Sequence, residues 1–589
     1  MTVGFVGAGP AIEAVRAALA DVGVSETSTT AALDEDASFV VVSGDVGDDV
    51  FERVNRRAVE RERPWIAIEG NGIGGLDVPG VEAAVSGFSP QTACFECLRI
   101  RVKAAADSPA PDGAERDIEA SVEEDQASIR LAGAFAGREL SRLVRGDSSP
   151  LIGGVIEVPY ASRTVLPVPG CAVCDPLMER DVDEAPTGTV AALEHESRSL
   201  EAALARAERA LDERVGIVTS TGEAESFPAP YYLTTVAETS GFSDASAAPQ
   251  AAGVAADWNE AFMKALGEGL ERYCAGVYRT EQFERARPTD VEDALPPDRF
   301  VQPADGDEGR EPISWTEGWN LRTGEAVSIP AEFVHFPPPE RRFRPSITTG
   351  LGLGNSAVEA ALSGLYEVVE RDATMLAWYS TYEPLGLTVA DDAFAELARR
   401  ARSENLDVTA LLVTQDVDVP VVTVAVHREE TWPQFAVGSG ANLDPTAAAR
   451  SALCEALQNW MELRSIGRED ATEASGWIGR YATFPDAARA FVDVDSSVPA
   501  SSVGPDRLPT GKEELEALVE RVDAVGLTPY AAWLTPRDVR SIGFEAVRIV
   551  VPEAQPLFTG RPYFGERADR VPRDLGFEPQ PGREPHPYP

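Results

Sequence analysis

The chain has 589 residues, 52 Lys and Arg against 97 Asp and Glu, a net charge of −45 and an isoelectric point near 4.4. That balance excludes phosphate-backbone binding as the main task, because counterion release needs clustered Lys and Arg, so no nucleic-acid partner is expected. With 43% hydrophobic residues there is ample material for packed cores, and the length suits two to four domains of roughly 150 residues. The opening MTVGFVGAGP has neither a basic n-region nor a cleavage site. No apolar run approaches the ~18 residues of a membrane span, so a cytoplasmic protein with no membrane contact is expected.

In chain order, Val3–Val6 reads as a short strand, Gly7-Ala8-Gly9 as a tight turn and Pro10–Val22 as a helix. Ser38–Ser43 and Pro64–Glu69 read as further strands. Strands alternating with helical patterns predict a parallel sheet. The G-x-G turn is half a dinucleotide fingerprint, since Ile12 stands at its sixth position; tight strand-to-helix geometry explains the glycines equally well. Asp107–Gly113 reads as a loop, Ile118–Val144 as a helix, and Leu151–Val158 and Ser162–Val168 as strands. A helix over Thr187–Asp212 leads into a second region without a clear linker. Loops rich in Pro and Gly fall at Leu295–Pro312, Ser496–Gly511 and Glu578–Pro589.

Four of the six cysteines form two C-x-x-C pairs, Cys94/Cys97 and Cys171/Cys174. Two such knuckles supply four thiolates for a tetrahedral zinc ion, and a site closed by four sulfurs is structural. Unrelated buried thiols and a redox C-x-x-C are the alternatives. Cys274 and Cys454 lie in apolar helical patterns and read as packing residues. The run from Ala93 to Arg101, followed by the distant second knuckle, resembles the E1/ThiF-like domain of the systems that make thiazole/oxazole-modified peptides. The resemblance implies a Rossmann-like docking domain over residues 1–180 that no longer adenylates. In that family a winged-helix leader-recognition module precedes the domain. Here the first strand starts at Thr2, so a separate leader-recognition protein is expected as a partner.

Three helical segments carry clustered carboxylates. Asp257–Tyr278 places Lys264, Glu268 and Glu271 on one face at i, i+4, i+7. Asn355–Tyr379 brings Asn355, Glu359, Glu367 and Glu370 to one broad face at about 100° per residue. Pro445–Arg464 carries Glu455, Gln458 and Glu462, with Asp444-Pro445 as N-cap and N1. Glutamates on a partly buried face repel one another unless a cation compensates, and magnesium with phosphate oxygens does so. Solvated helix faces are the plainer alternative: Glu367 and Arg371 are an i,i+4 pair, and Ser356-x-x-Glu359 fits a capping box.

The run Ala265–Tyr273 (ALGEGLERY), the stretch Gly350–Ser356 with Glu359–Leu362 and Leu365–Asp372, and Ala452–Gln458 resemble, in order, three motifs of the YcaO family of azoline-forming cyclodehydratases (SagD-like). The resemblance covers residues 185–589. It implies an α/β (α+β) chain: an N-terminal E1/ThiF-type domain followed by a YcaO ATP-binding catalytic domain. By the same resemblance Glu268, Glu271, Glu359, Glu367 and Glu370 form a magnesium–phosphate shell, and Asn355, Arg371 and Arg272 contact ATP. Lys264, which occupies a position usually held by Ser, is counted with the ATP-binding residues by the same resemblance, its alternatives being a direct phosphate contact or an altered pocket. The C-terminal Pro585-His586-Pro587-Tyr588-Pro589 matches the P-x-P-x-P tail of azoline-forming members, whose terminal carboxylate, here on Pro589, is a proposed base. Physically such a tail is stiff polyproline II; a disordered end is the alternative.

The activity so implied is ATP-dependent cyclodehydration of Cys, Ser or Thr in a ribosomally made precursor peptide, as in bacteriocin biosynthesis, with ATP, Mg2+ and structural Zn2+ as cofactors. Thioamidation, assistance to ribosomal-protein methylthiolation, and a non-catalytic docking role are the alternatives. A separate dehydrogenase is a further expected partner, and a homodimer is expected from relatives. One compositional feature concerns habitat. Only Lys103, Lys264 and Lys512 are lysines; all other cations are Arg. Acidic, Lys-poor surfaces resemble those of salt-loving archaea, which predicts unfolding at low salt.

Overall fold

The computed structural model describes residues 2–27, 37–109, 126–175, 188–304, 311–471 and 476–589. The expected loop at Asp107–Gly113, the start of the Ile118–Val144 helix and the expected domain boundary at 180–185 fall wholly or partly outside them.

The N-terminal part is built on a seven-stranded sheet. It contains β1 (Thr2–Val6), β2 (Ser25–Thr27), β3 (Phe39–Asp45), β4 (Trp65–Gly70), β7 (Ala83–Phe88), β8 (Gly154–Val158) and β9 (Ala161–Thr164), in the order β2-β1-β3-β4-β7-β8-β9. A small hairpin, β5 (Gly72–Ile73) and β6 (Leu76–Asp77), lies between β4 and β7. The sheet is mixed, which corrects the parallel expectation: β2, β1, β3 and β4 run parallel, whereas β4/β7, β7/β8 and β8/β9 are antiparallel. The chain passes from β4 to β7 through that hairpin rather than a helix, and a parallel return needs a longer crossover. Strand β2, three polar residues long, carries no apolar alternation that sequence reading could find. Helices α1 (Pro10–Ala20), α2 (Asp49–Glu60), α3 (Phe95–Asp107) and α4 (Gln126–Val144) belong to the same part.

The expected long helix from Thr187 is mostly absent among the described residues. The helix α5 spans only Leu200–Ala207, and Ser199 caps it by accepting from Ala202 N at 3.3 Å. The polar run Glu194–Arg198 offers no apolar face to extend it.

The second part holds three sheets. One joins β10 (Val218–Glu225), β11 (Tyr231–Val236) and β12 (Gln250–Val254). The second has the order β13 (Glu284–Ala286), β14 (Ile313–Asn320), β22 (Tyr530–Trp533), β23 (Glu545–Val550) and β16 (Leu351–Gly354), with β15 (Ala326–Pro330) paired to β14. The third runs β20 (Phe435–Ala441), β19 (Val421–His427), β18 (Asp407–Leu412), β17 (Leu385–Thr388) and β21 (Ser497–Pro499). The helices that carry the motifs are α6 (Trp258–Gly276), α7 (Ala357–Trp378) and α9 (Pro445–Ile466); α8 (Asp392–Ser403) packs beside α9. No helix of the described residues is long and apolar enough to cross a membrane.

The two parts share one core. A single apolar cluster runs from Trp65, Phe88 and Phe95 through Val102 to Leu266, Leu270 and Tyr273 on α6. The chain as a whole carries a net charge of −45. Screening lengths fall from about 10 Å at 0.1 M salt to about 3 Å at 1 M. The expected result is a thermal midpoint that rises steeply on moving from about 0.1 M to molar KCl. A flat midpoint followed by circular dichroism would remove the salt-loving reading.

Candidate functional site

Three cap-and-glycine arrangements bring the carboxylates together. Each motif helix starts at a side-chain cap: Asp257 accepts from Glu260 N at 3.0 Å, Ser356 from Glu359 N at 3.4 Å, and Asp444 from Thr446 N at 2.9 Å. Each helix then lies directly on a strand. A Cβ on Gly352 of β16 would sit 2.2 Å from the Ala360 carbonyl oxygen, and one on Gly438 of β20 would sit 2.4 Å from Ala456 N. Only glycine lets helix and strand backbones approach so closely.

Arg371 is the hub of the resulting cleft. Its guanidinium lies 3.9 Å from Glu367, 3.7 Å from Glu370 and 3.4 Å from Glu455. Glu370 also accepts from Ser439 Oγ at 2.7 Å, Glu455 from Ser439 N at 2.5 Å, and Glu367 from Gly350 N at 2.9 Å. Of the i,i+4 pair that the solvated-face alternative invokes, Arg371 is 12% and Glu367 28% exposed, and Glu370 beside them is 12% exposed. Glu359 accepts from both N and Nδ2 of Asn355, at 2.9 and 3.0 Å. The capping box is thus half formed: Ser356 caps the helix, but Glu359 turns to Asn355.

On α6, Glu268 pairs with Arg272 and accepts from Ala252 N at 2.9 Å, and Arg272 donates to the Gln250 carbonyl at 2.7 Å. Lys264 Nζ donates to the Val254 carbonyl at 3.2 Å, on the strand beside α6. Burial pushes the Glu271 carboxyl up to about 8, with the nearby Glu367 and Glu268 carboxylates adding to the rise. Burial likewise raises Glu370 to about 7 against the counter-pull of Arg371. Glu268 is also raised, by burial first. Burial is the first cause in all three, so these carboxyls tend to hold protons until a cation takes their place. The carboxylates are not gathered at single-ion spacing, unlike the four thiols below. Magnesium needs only one or two carboxylates when phosphate oxygens complete its shell, so the set fits a magnesium–phosphate ligand.

Three further residues, Glu455, Ser439 and Arg548, stand at this cluster. Glu455 was legible as a glutamate on the third helix, but its approach to Arg371 depends on how α9 packs against α7. Ser439 has no local signal. Arg548, on β23, donates to the Thr348 and Ile347 carbonyls at 2.6 and 2.9 Å and is 2% exposed. Its signal was an arginine set inside the apolar run EAVRIV. Burial lowers its pKa to about 9, with Arg344 adding to the fall and Glu367 and Glu271 opposing it.

The C-terminal tail is ordered, which contradicts the disordered alternative. Tyr481 Oη donates to the Pro585 carbonyl at 2.7 Å, His586 Nε2 lies 2.7 Å from the Phe558 carbonyl, and Tyr588 Oη lies 3.3 Å from Thr423 Oγ1. His586 and Tyr588 are buried. Burial holds His586 down to about 4, and the Arg371 charge acts in the same direction. Both Arg371 and Glu370 act on Tyr588, so the tail ends within electrostatic reach of the cleft. Pro589 itself is partly exposed.

The cysteines form a separate centre. The sulfurs of Cys94, Cys97, Cys171 and Cys174 all lie within 4.8 Å of one another. Cys94–Cys171 is 3.7 Å, Cys94–Cys97 3.8 Å and Cys97–Cys174 3.4 Å. These distances are far too long for disulfides, and a tetrahedron with Zn–S bonds of about 2.3 Å has edges of roughly 3.8 Å. Val168 N donates to Cys97 Sγ at 3.3 Å, and Cys97 lies in the first turn of α3. The four residues therefore fit a zinc ion. Cys274 and Cys454 are buried elsewhere, on α6 and α9.

Comparison with known proteins bears on this geometry. Residues 252–555 match the family model described as YcaO cyclodehydratase, ATP- and Mg2+-binding. An uncharacterized protein of Methanothermobacter thermautotrophicus is 32% identical over 235 residues, which are 38% of this chain and 60% of that one. The chain thus spans less than two thirds of that curated relative. A solved heterocyclase in complex with substrate and cofactor superposes with a TM-score of 0.75 at 20% identity, over 98% of this chain and 83% of that one. The heterocyclase TruD superposes with a TM-score of 0.66 at 21% identity, over 98% and 81%. At such identities these two likenesses are likenesses of fold.

Proposed function

Because the chain belongs to the YcaO family, we propose that it uses ATP and magnesium to cyclodehydrate Cys, Ser or Thr residues of a ribosomally made peptide to azolines. The observation that carries this reading is the cluster around Arg371, where Glu367 and Glu370 of α7 meet Glu455 of α9, with Glu271 of α6 within electrostatic reach of Glu367. Magnesium would supply the positive charge that buried carboxylates need, and the triphosphate the oxygens that complete the metal's shell. In this reading Glu268, Glu271, Glu359, Glu367 and Glu370 hold the metal–phosphate ligand, with Glu455 beside them. Asn355, Arg371 and Arg272 orient the nucleotide. Zinc on Cys94, Cys97, Cys171 and Cys174 shapes the N-terminal docking domain.

The chemistry follows from leaving groups. The side-chain thiol or hydroxyl attacks the preceding backbone carbonyl carbon, and its proton is lost to a base. The resulting oxyanion takes the γ-phosphoryl group, releasing ADP. The nitrogen lone pair then expels inorganic phosphate, and loss of the nitrogen proton leaves the C=N bond of the azoline. The amide oxygen, a poor leaving group as hydroxide, leaves as phosphate. The test uses a Cys-containing peptide labelled with heavy oxygen at the carbonyl before the cysteine. The label is expected in inorganic phosphate, with one water lost from the peptide per ADP. Label retained in the peptide while ATP is consumed would sink the proposal.

The docked tail gives a further expected result. Removing Tyr588 and Pro589 moves the terminal carboxylate back to Pro587 and deletes the Tyr588–Thr423 contact but none of the cleft carboxylates. Turnover is expected to fall by about 100-fold, the usual scale for a lost acid–base group, with Mg-ATP affinity changed by less than about tenfold. Full activity of the shortened chain in single-turnover assays would exclude a role for Pro589.

A further inference from the structure

We propose that the buried triad Arg101–Asp538–Tyr273 is a strut that couples the cysteine centre to helix α6, so that occupancy of either site strengthens the other. The inference rests on the functional reading above. Arg101 follows Cys97 by one helical turn on α3 and is wholly buried. Its guanidinium pairs with Asp538, which is also wholly buried, and donates to Tyr273 Oη at 3.4 Å. It also reaches the carbonyls of Pro167 at 3.2 Å and Leu166 at 3.5 Å, in the segment that leads into Cys171. Tyr273 Oη donates to the same Asp538 oxygen at 2.6 Å. Beside Asp538, Arg537 reaches the second knuckle itself, lying 3.3 Å from Asp175 and donating to the Cys174 carbonyl at 3.4 Å. One short helix, Arg537–Ser541, therefore touches both knuckle segments and α6.

Tyr273 shares α6 with Glu268 and Glu271. At 100° per residue it projects about 160° away from Glu271 and about 140° away from Glu268. Helix α6 thus behaves as a plank: one side is clamped by Tyr273 to the cysteine centre, and the other presents the glutamates to the cleft. The clamp is stiff, because a guanidinium and a phenol share one carboxylate where water cannot replace either partner. A small displacement of α3 must carry Asp538 and Tyr273 with it or leave a buried charge unpaired. The three residues touch no bound group themselves; they are positioning residues for the glutamates.

Coupling of this kind is reciprocal. If an ordered cysteine centre holds α6 in the pose that binds Mg-ATP, Mg-ATP must equally stabilise the cysteine centre. The test is the rate of zinc transfer from the zinc-loaded full-length chain to a chromophoric chelator, in molar KCl, with and without saturating Mg-ATP. The wild type is expected to release zinc several-fold more slowly with the nucleotide. Asp538→Asn strands a buried arginine and is a poor probe of coupling, whereas Tyr273→Phe removes one hydroxyl and keeps the Arg101–Asp538 pair. In Tyr273→Phe the nucleotide effect is expected to vanish and the KM for ATP to rise several-fold, with zinc content and thermal midpoint close to wild type. Glu370→Gln, which should not hold nucleotide, controls for zinc binding by ATP itself. An undiminished effect in Tyr273→Phe overturns the strut. So does a wild type that binds Mg-ATP yet releases zinc at an unchanged rate, a result that leaves the functional reading intact. A wild type that binds no Mg-ATP overturns the functional reading and the strut with it.

Discussion

Substituting Glu370 by Gln should weaken Mg-ATP binding at least about 100-fold in calorimetric titrations. Even the outer-shell partners of a metal site cost 10- to 100-fold when removed, and Glu370 is assigned to the inner set. The fold should survive the change. Arg371 keeps Glu367 at 3.9 Å and Glu455 at 3.4 Å, and a Gln amide can still accept from Ser439. Loss of binding by a variant that melts like the wild type therefore reports on the ligand rather than on packing. Undiminished binding would move the nucleotide elsewhere. The same carboxyls set a pH dependence whose sign is fixed. Glu271 and Glu370 titrate at about 8 and about 7 in the folded chain, against 4.5 as the ordinary value. Between roughly pH 5 and 8 the folded state therefore holds protons that the unfolded state has released. Stability contributed by these groups is fully present at the acid end and is lost as pH rises through 7 and 8. Magnesium with nucleotide displaces those protons and should reverse the trend. Thermal melts should show a larger stabilisation by Mg-ATP at pH 8 than at pH 6.

Serine scanning of the six cysteines should divide them four against two. Structural zinc contributes on the order of 10–16 kcal/mol in small domains, comparable to a domain's whole stability of about 5–15 kcal/mol. Cys97→Ser removes one of the four ligands at the buried head of α3 and should abolish zinc binding. The N-terminal sheet is then expected to melt below working temperature. Cys94, Cys171 and Cys174 should behave alike. Cys274→Ser and Cys454→Ser place a hydroxyl among apolar neighbours and should cost about 1–3 kcal/mol with zinc retained. Elemental analysis of the wild type should find one zinc per chain. A metal-free wild type, or six equivalent serine variants, would leave the four sulfurs as mere packing.

The sequence by itself determined whatever repeats locally. Alternation and capping placed β1, β4, α6, α7 and α9 within a few residues, because side-chain period and cap chemistry belong to the segment that carries them. The C-x-x-C spacing marked both knuckles, and the glutamate motifs marked most of the cleft. Tertiary structure alone decided what depends on distant chain segments. The antiparallel half of the first sheet followed from a tight return between β4 and β7 that parallel alternation does not foresee. Glu455 reached Arg371, and Ser439 reached Glu370 and Glu455, only because Gly438 lets α9 rest on β20. The pairing of Arg101 with Asp538 spans 437 positions, and no local rule of period or propensity reaches across such a separation. Burial itself, which raises Glu271 and lowers Arg548, is a property of the surroundings rather than of the residue.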